Sequence, residues 1–251
     1  MALTSQQETD LLAFLASYNT NKKRISDLES AITAQSDHLL PVERAGATKN
    51  ISVDDIKDFV LLNNLSKKSI QIFTTSGTWT KPAGCKAAHI KLVGGGGSGG
   101  NSTSGGTGAG GGGYSEKFIT SGLGATETIT VGLGGTAATN GNNGNTGGTT
   151  SFGAHCSASG GTGGKTANGL GVGSGGTGSG GDINIQGSSG TVSITTSQGG
   201  NGGGSMLSGL VSGGIGSNTG PGLLYGGGSG GANGGTGGAG AAGIVIVYEY
   251  Y

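Results

Sequence analysis

Charge, proline, cysteine and aromatic side chains are all scarce in this 251-residue chain: 10% of residues are charged, 5% are aromatic, three are proline and two are cysteine. The 13 basic residues balance the 13 acidic ones. No basic stripe interleaved with aromatics is present, so the electrostatic footprint of a nucleic-acid binder is missing. The one basic triplet, Lys22, Lys23 and Arg24, reads as a solvated helix face. Runs of 18 or more apolar residues are absent, which excludes an ordinary membrane span and gives no membrane insertion. Residues 1–10 hold neither a basic nor an apolar leader region, so the expectation is a soluble protein made in the cytoplasm.

Chemistry-bearing groups are equally thin. Cys85 and Cys156 can make one bridge at most, too few for a disulfide framework, and read as free, buried thiols. His155 beside Cys156 has no CxxC, HxH or HExxH around it, so no metal site is assigned. Acid–base catalysis on a glycosidic bond needs two converging carboxylates, whereas Glu116, Glu127 and Asp182 are far apart in sequence. Glycine-spaced motifs recur by chance in such a chain, and Gly164-Lys165-Thr166 lacks the spacing of a phosphate loop. The expectation is a protein without catalytic residues and without a cofactor.

What is abundant is glycine, 62 of 251 residues. Only Gly46, Gly77 and Gly84 precede residue 94, and residues 94–243 carry just five charges: Glu116, Lys117, Glu127, Lys165 and Asp182. Disordered chains are kept open by charge, so a region poor in both charge and apolar groups is not read as a solvated tail.

Before this region the periodicity is helical. Leu11, Phe14, Tyr18, Asn21, Ile25, Leu28, Ile32, Gln35 and Leu39 follow one another at spacings of three and four, the a/d seam of a coiled coil. Ser5 and Glu8 fit a capping box and Pro41 a stop, giving a self-associating stem within residues 1–40. Residues 41–68 read as a linker with a short helix over 53–62, whose apolar face is Val53, Ile56, Phe59 and Val60.

From residue 69 the period becomes two. Ile70 and Ile72, then Ala88, Ile90 and Leu92, then 128–131, and finally 244–250 alternate as strands do. Residues 182–186 and 191–195 read as a hairpin with Ile183, Ile185, Val192 and Ile194 on one face. Between strands, the tracts at 160–164, 175–177 and 234–240 read GGX, the three-residue period of a polyproline II helix, where glycine allows neighbouring backbones to approach and bond. The expected fold class is therefore mixed: an N-terminal coiled-coil helix, then a mainly β glycine-rich sandwich with polyglycine II-like segments over 69–251, oligomeric as a whole.

The order of Gly77-Thr-Trp79-Thr-Lys-Pro82-Ala-Gly84, Ile90-Lys-Leu-Val93 running into glycine 94–100, the tract 110–114, residues 127–132, Thr150-Ser-Phe-Gly153 and the closing strand 243–248 resembles the glycine-rich tail-fibre and adhesin proteins of tailed bacteriophages. The resemblance covers residues 72–251. It implies a virion component assembled in the host cytoplasm, often a homotrimer, that joins other tail or baseplate proteins and binds a bacterial surface protein or glycan. In some relatives a polyglycine II sandwich touches the receptor through loops at its tip. Alternatives are a structural fibre connector and, third, an enzyme degrading surface polysaccharide. The apolar exception inside the glycine region, Met206, Leu207, Leu210, Leu223, Leu224 and Tyr225, is the candidate receptor contact, because loops on a rigid scaffold concentrate binding. Its competing role is to fill an oligomer core.

Overall fold

A computed structural model of the chain describes residues 39–44, 47–52, 68–139, 141–166, 171–193, 198–214 and 219–251. The chain divides into two compact units, Met1–Leu65 and Ser66–Tyr251. In the first, β1 (Leu39–Arg44) and β2 (Ala47–Ser52) form an antiparallel hairpin with Pro41 opposite Asn50.

This corrects the expected fold class. The described residues contain no helix and are mostly β, so an N-terminal coiled-coil helix is not supported. Leu39, placed at the end of the heptad seam, begins a strand instead, and Pro41 lies within that strand rather than stopping a helix. Heptad positions Leu11, Phe14, Tyr18, Asn21, Ile25, Leu28, Ile32 and Gln35, and the helix expected over 53–62, fall outside the described residues. At Leu39 the physical reason is that a short apolar pattern fits a pleated strand as readily as a helical stripe, and the hairpin also takes up residues 41–52, which the sequence assigned to a linker.

The second unit starts as a β-sandwich. One five-stranded sheet contains β3 (Lys68–Phe73), β5 (Ala87–Val93), β7 (Tyr114–Ile119), β12 (Ile183–Ile185) and β14 (Ile244–Tyr250), in the order β12-β7-β5-β14-β3. The other contains β4 (Gly77–Thr80), β8 (Thr126–Thr130), β9 (Thr150–Phe152), β10 (Cys156–Ala158) and β11 (Gly178–Ser179), in the order β11-β10-β9-β8-β4. Alternate residues of the two sheets meet in one core, where Trp79, Ile129, Phe152 and Cys156 pack against Ala88, Ile90, Leu92, Ile119, Val245 and Val247. The rings of Trp79 and Phe152 meet at a tilt, with 5.5 Å between their centroids.

Above the sandwich the side chains vanish and the hydrogen bonding changes period. The β5–β7 ladder ends at Val93 opposite Tyr114, and its continuation pairs Gly94 with Gly113, Gly97 with Gly110 and Gly100 with Thr107, one bond every third residue. The residues between donate elsewhere. Gly95, Ser98 and Asn101 donate to Gly148, Asn145 and Asn142, while Gly96 donates to Ala241. Carbonyls of the same segment accept from Gly161 and Gly164, from Ser229 and Ala232, and from Gly135. Segment 94–101 thus has six hydrogen-bonded neighbours. That is the packing of threefold polyglycine II helices, each residue turning about 120° from the last so that its amide faces a different neighbour.

The neighbouring segment 106–113 is enclosed in the same way, by 226–232, 159–165, 188–191, 94–100, 173–176 and 200–203. Glycine is obligatory here because the backbones touch. A Cβ on Gly96 would lie 2.0 Å from the Gly227 carbonyl oxygen, and one on Gly110 would lie 1.9 Å from that of Ser174. Residues between glycine pairs point outward where the array meets solvent, as at Thr162, Ser174, Thr177 and Asn201.

One expected hairpin is not formed. β12 pairs with β7, and residues 187–191 run as a polyglycine II segment beside 173–176 and 201–204. The glycine at 187 releases the chain from the sheet, so Val192 is carried to the opposite end of the array from Ile183 and Ile185.

Candidate functional site

Strands lead out of the sandwich into polyglycine II segments that return antiparallel, so the connections alternate between the sandwich end and the far end. The far end gathers the turns 101–106 and 232–237 with the described flanks of the connections at 139–142, 165–171, 192–198 and 214–219. Asn101 ties several of them together. Its amide nitrogen donates to Asn142 O at 3.0 Å, its carbonyl accepts from Gly141 N at 3.1 Å, and its side-chain Nδ2 donates to Gly235 O at 2.6 Å and Ala138 O at 3.4 Å. The short strands β6 (Asn101–Ser102) and β13 (Ala232–Asn233) pair in parallel beside it, Gly234 donates to Ser102 O, and Thr166 N donates to Asn143 Oδ1. Among the described residues this surface is made mainly of hydroxyl, amide and backbone groups, with Thr103, Asn143, Thr236 and Lys165 exposed, and it also exposes the apolar Val192.

The sequence-derived contact residues lie elsewhere, at the sandwich end. Met206, Leu207 and Leu210 occupy the loop after segment 199–204, and Leu223, Leu224 and Tyr225 occupy the one before segment 226–232. The structure brings both loops together through Ser205 Oγ, which donates to Tyr225 O at 2.5 Å, while the bridge between Gly202 and Val211 closes the base of the first loop. Met206, Leu207, Leu210, Leu223 and Leu224 are exposed, Leu210 to 66%. Tyr225 is half-buried instead, packed on Val93, Tyr114 and Ile244. The loops therefore have an anchored base and an apolar rim.

Among the described residues, three separate constellations of ionisable groups stand out. His155 Nε2 lies 3.1 Å from Glu127 Oε1, while Cys156 next to it points into the core, so this adjacency in sequence does not converge in space. Burial raises the Glu127 pKa, but the Gly124 amide and His155 outweigh it and leave the carboxyl below its ordinary value. On the outer sheet face, Glu116 takes the Tyr114 hydroxyl, His89 Nε2 at 2.6 Å and Lys91 Nζ at 3.7 Å, and the Tyr114 hydrogen bond is the main cause of its lowered pKa.

The third was not singled out in the sequence. Glu249 is 1% exposed, and its carboxylate accepts from Trp79 Nε1 at 2.7 Å, Gln71 Nε2 at 2.6 Å and the Ser69 hydroxyl. The signal was present: Glu249 shares the inward parity of Val245 and Val247 in an otherwise apolar strand. This constellation lies inside the sandwich, where a carboxylate without a charged partner is held by converging donors.

Among the described residues, no group of three or more His, Cys, Asp and Glu side chains is arranged to hold a metal ion. No curated protein matches the chain significantly in sequence. The family model of the glycine-rich domain matches residues 73–250, the span from the end of β3 to the end of β14, and the chain belongs to that glycine-rich domain family.

Proposed function

We propose that the chain is a bacteriophage tail-fibre component that attaches the virion to a bacterial surface receptor, protein or glycan, without catalysing a reaction. It works as a homotrimer in contact with other tail or baseplate proteins. The observation that carries this reading is the gathering of turns at one end of a hydrogen-bonded polyglycine II array: a stiff body presents polar loops at its tip while both chain ends of the second unit, β3 and β14, stay in the sandwich. Loops of this kind can vary in sequence without disturbing the array that carries them. Weak contacts by each tip add up when several copies are held together.

The exposed apolar loops at the sandwich end favour a second reading, a structural connector whose contacts lie at 206–225. Binding of purified protein to wild-type and receptor-deficient bacteria separates the two. Attachment through the tip predicts that replacing Thr103 and Thr236 with alanine abolishes cell binding at unchanged melting temperature, and that serine at Leu223, Leu224 and Tyr225 leaves it intact. Loss of binding with the serine variant alone moves the receptor contact to the sandwich end. A folded protein that binds neither strain leaves the connector.

A further inference from the structure

The segments that build the polyglycine II array, 94–113, 132–149, 159–181, 186–222 and 226–243, hold a single charged side chain between them, Lys165. It follows Ser159 and Thr162 at the threefold period and is the last of the three before the tip. The array makes no use of its ammonium. Backbone bonds to Thr107 lock the residue in place, its carbonyl accepting from the Thr107 amide and its own amide donating to Thr107 Oγ1. The aliphatic stem runs beside Gly171, where a Cβ would come 3.5 Å from Lys165 Cγ, and Asn143 Oδ1 holds the adjoining Thr166 amide. Among the described residues no carboxylate pairs with the exposed side chain.

Distance gives this one charge control of the tip. At about 3.1 Å per residue, the path from Ala158, the last residue of β10, to Lys165 is about 22 Å long. Exposed charges are screened over about 8 Å at physiological ionic strength, so the carboxylates of the sandwich do not offset it. No Asp or Glu occurs in any of the connections gathered at the far end. The tip is therefore electropositive in a setting of neutral hydroxyls and amides.

We infer that the tip recognises an anionic polysaccharide, the Lys165 ammonium taking a phosphate or carboxylate oxygen while exposed hydroxyls of the same end, Thr103 and Thr236, bond to sugar hydroxyls. The inference rests on the attachment reading and narrows its receptor. A protein receptor is disfavoured because protein interfaces are anchored by Trp, Tyr and Arg, and none of the three occurs in the segments of the array. An ammonium is instead a compact point charge with rotatable donors, suited to an anionic oxygen on a flexible polymer. A repeating polymer also offers the same group to several tips at once, which multiplies a weak contact.

The test uses the full chain, a bacterial strain that it binds, and polysaccharide extracted from that strain and immobilised. Lys165→Gln and Lys165→Arg are compared with the wild type, and Lys86→Gln removes one exposed charge from the sandwich as a control. The expected result is that Lys165→Gln binds about tenfold or more weakly at unchanged melting temperature, as for loss of a hydrogen bond to a charged group, while Lys165→Arg and Lys86→Gln bind as the wild type does. Rising salt should weaken the wild type more than Lys165→Gln. Two treatments of the polysaccharide identify the anion: amidation of its carboxylates abolishes binding if a uronate is held, and removal of its phosphates with hydrofluoric acid does so if a phosphate is. Wild-type affinity in Lys165→Gln, binding that survives both treatments, or retention on surface protein alone would overturn the inference. The two readings fail differently. Cells bound equally by Lys165→Gln remove the anionic ligand and leave attachment standing, whereas a wild type that binds no strain removes attachment and this inference with it.

Discussion

Thr107 and Lys165 hold each other by two hydrogen bonds: the Thr107 amide donates to the Lys165 carbonyl at 2.9 Å, and the Lys165 amide donates back to Thr107 Oγ1 at 2.7 Å. The same reciprocal pair joins Thr162 to Ser174, Thr191 to Asn201 and Ser98 to Asn145. In a threefold chain only one amide in three faces a given neighbour. The hydroxyl of the residue between glycines supplies the acceptor that the neighbour's returning amide needs. Serine and threonine between glycines therefore tie the array together as well as covering it.

Thr107 is fully buried, so Thr107→Val keeps the shape and removes the acceptor. An unsatisfied amide costs about 1–3 kcal/mol. Urea melts should show that loss for valine and a smaller one for Thr107→Ser. Equal stability of the two variants would deny the hydroxyl its role.

Glycine-to-alanine substitutions should divide sharply by position. Gly96→Ala drives a Cβ onto the Gly227 carbonyl, a backbone atom that cannot rotate away, and should cost more than about 4 kcal/mol or prevent folding. Gly77 has open space around its Cβ position and an ordinary φ, so Gly77→Ala should change stability by less than about 1 kcal/mol. Thermal melts of the pair check this, and similar losses at both positions would contradict the close packing at Gly96.

Glu249→Ala should cost roughly 3 kcal/mol or more, because it strands the Trp79 indole N–H and the Gln71 amide in the sandwich. Trp79 is the single tryptophan, so its emission reports the change directly. Emission and melting point identical to the wild type would show that the carboxylate is dispensable.

Acid should destabilise the fold through Glu116 and Glu127. Both carboxyls lie below their ordinary value of 4.5 in the folded chain, the first through Tyr114 and His89, the second through the Gly124 amide and His155 acting against burial. A depressed folded pKa contributes stability that is complete above the unfolded value and is lost as pH falls through the folded one. Denaturation curves should therefore weaken below about pH 4.5, and Glu116→Gln should flatten that slope. An unchanged slope would exclude the Glu116 cluster as its source.

Cys85 and Cys156 are free and buried, with burial pushing the Cys156 thiol up to about 11 and raising that of Cys85. A thiol reagent at neutral pH should react with neither until denaturant is added, and reductant should leave the melting temperature unchanged. Rapid modification of the folded protein would contradict this burial.

Much of the second unit was legible in the sequence. Alternation placed β5, β8 and β14, and the GGX tracts at 160–164 and 175–177 announced a threefold backbone, whereas the tract at 234–240 begins in a turn with positive φ at Gly234 and Gly235. The inward face of β3 was not legible, because Ile70 and Ile72 look like core residues until Glu249, some 180 residues away, is seen to claim Ser69 and Gln71 for the inside. The receptor candidates at 206–225 were visible as an apolar interruption. Their position at the sandwich end, opposite the polar tip, depends on how many times the chain turns back before reaching them.

By itself the sequence determined composition and period: too little charge for an open chain, strands where apolar residues alternate, and polyglycine II where side chains disappear. The tertiary structure alone decided which segment bonds to which. In a threefold helix successive amides point in three directions, and nothing in a run of glycines says which neighbour lies along each. The sandwich supplies that information, because its strands, specified by side-chain packing, launch the segments in fixed register and so choose every partner in the array.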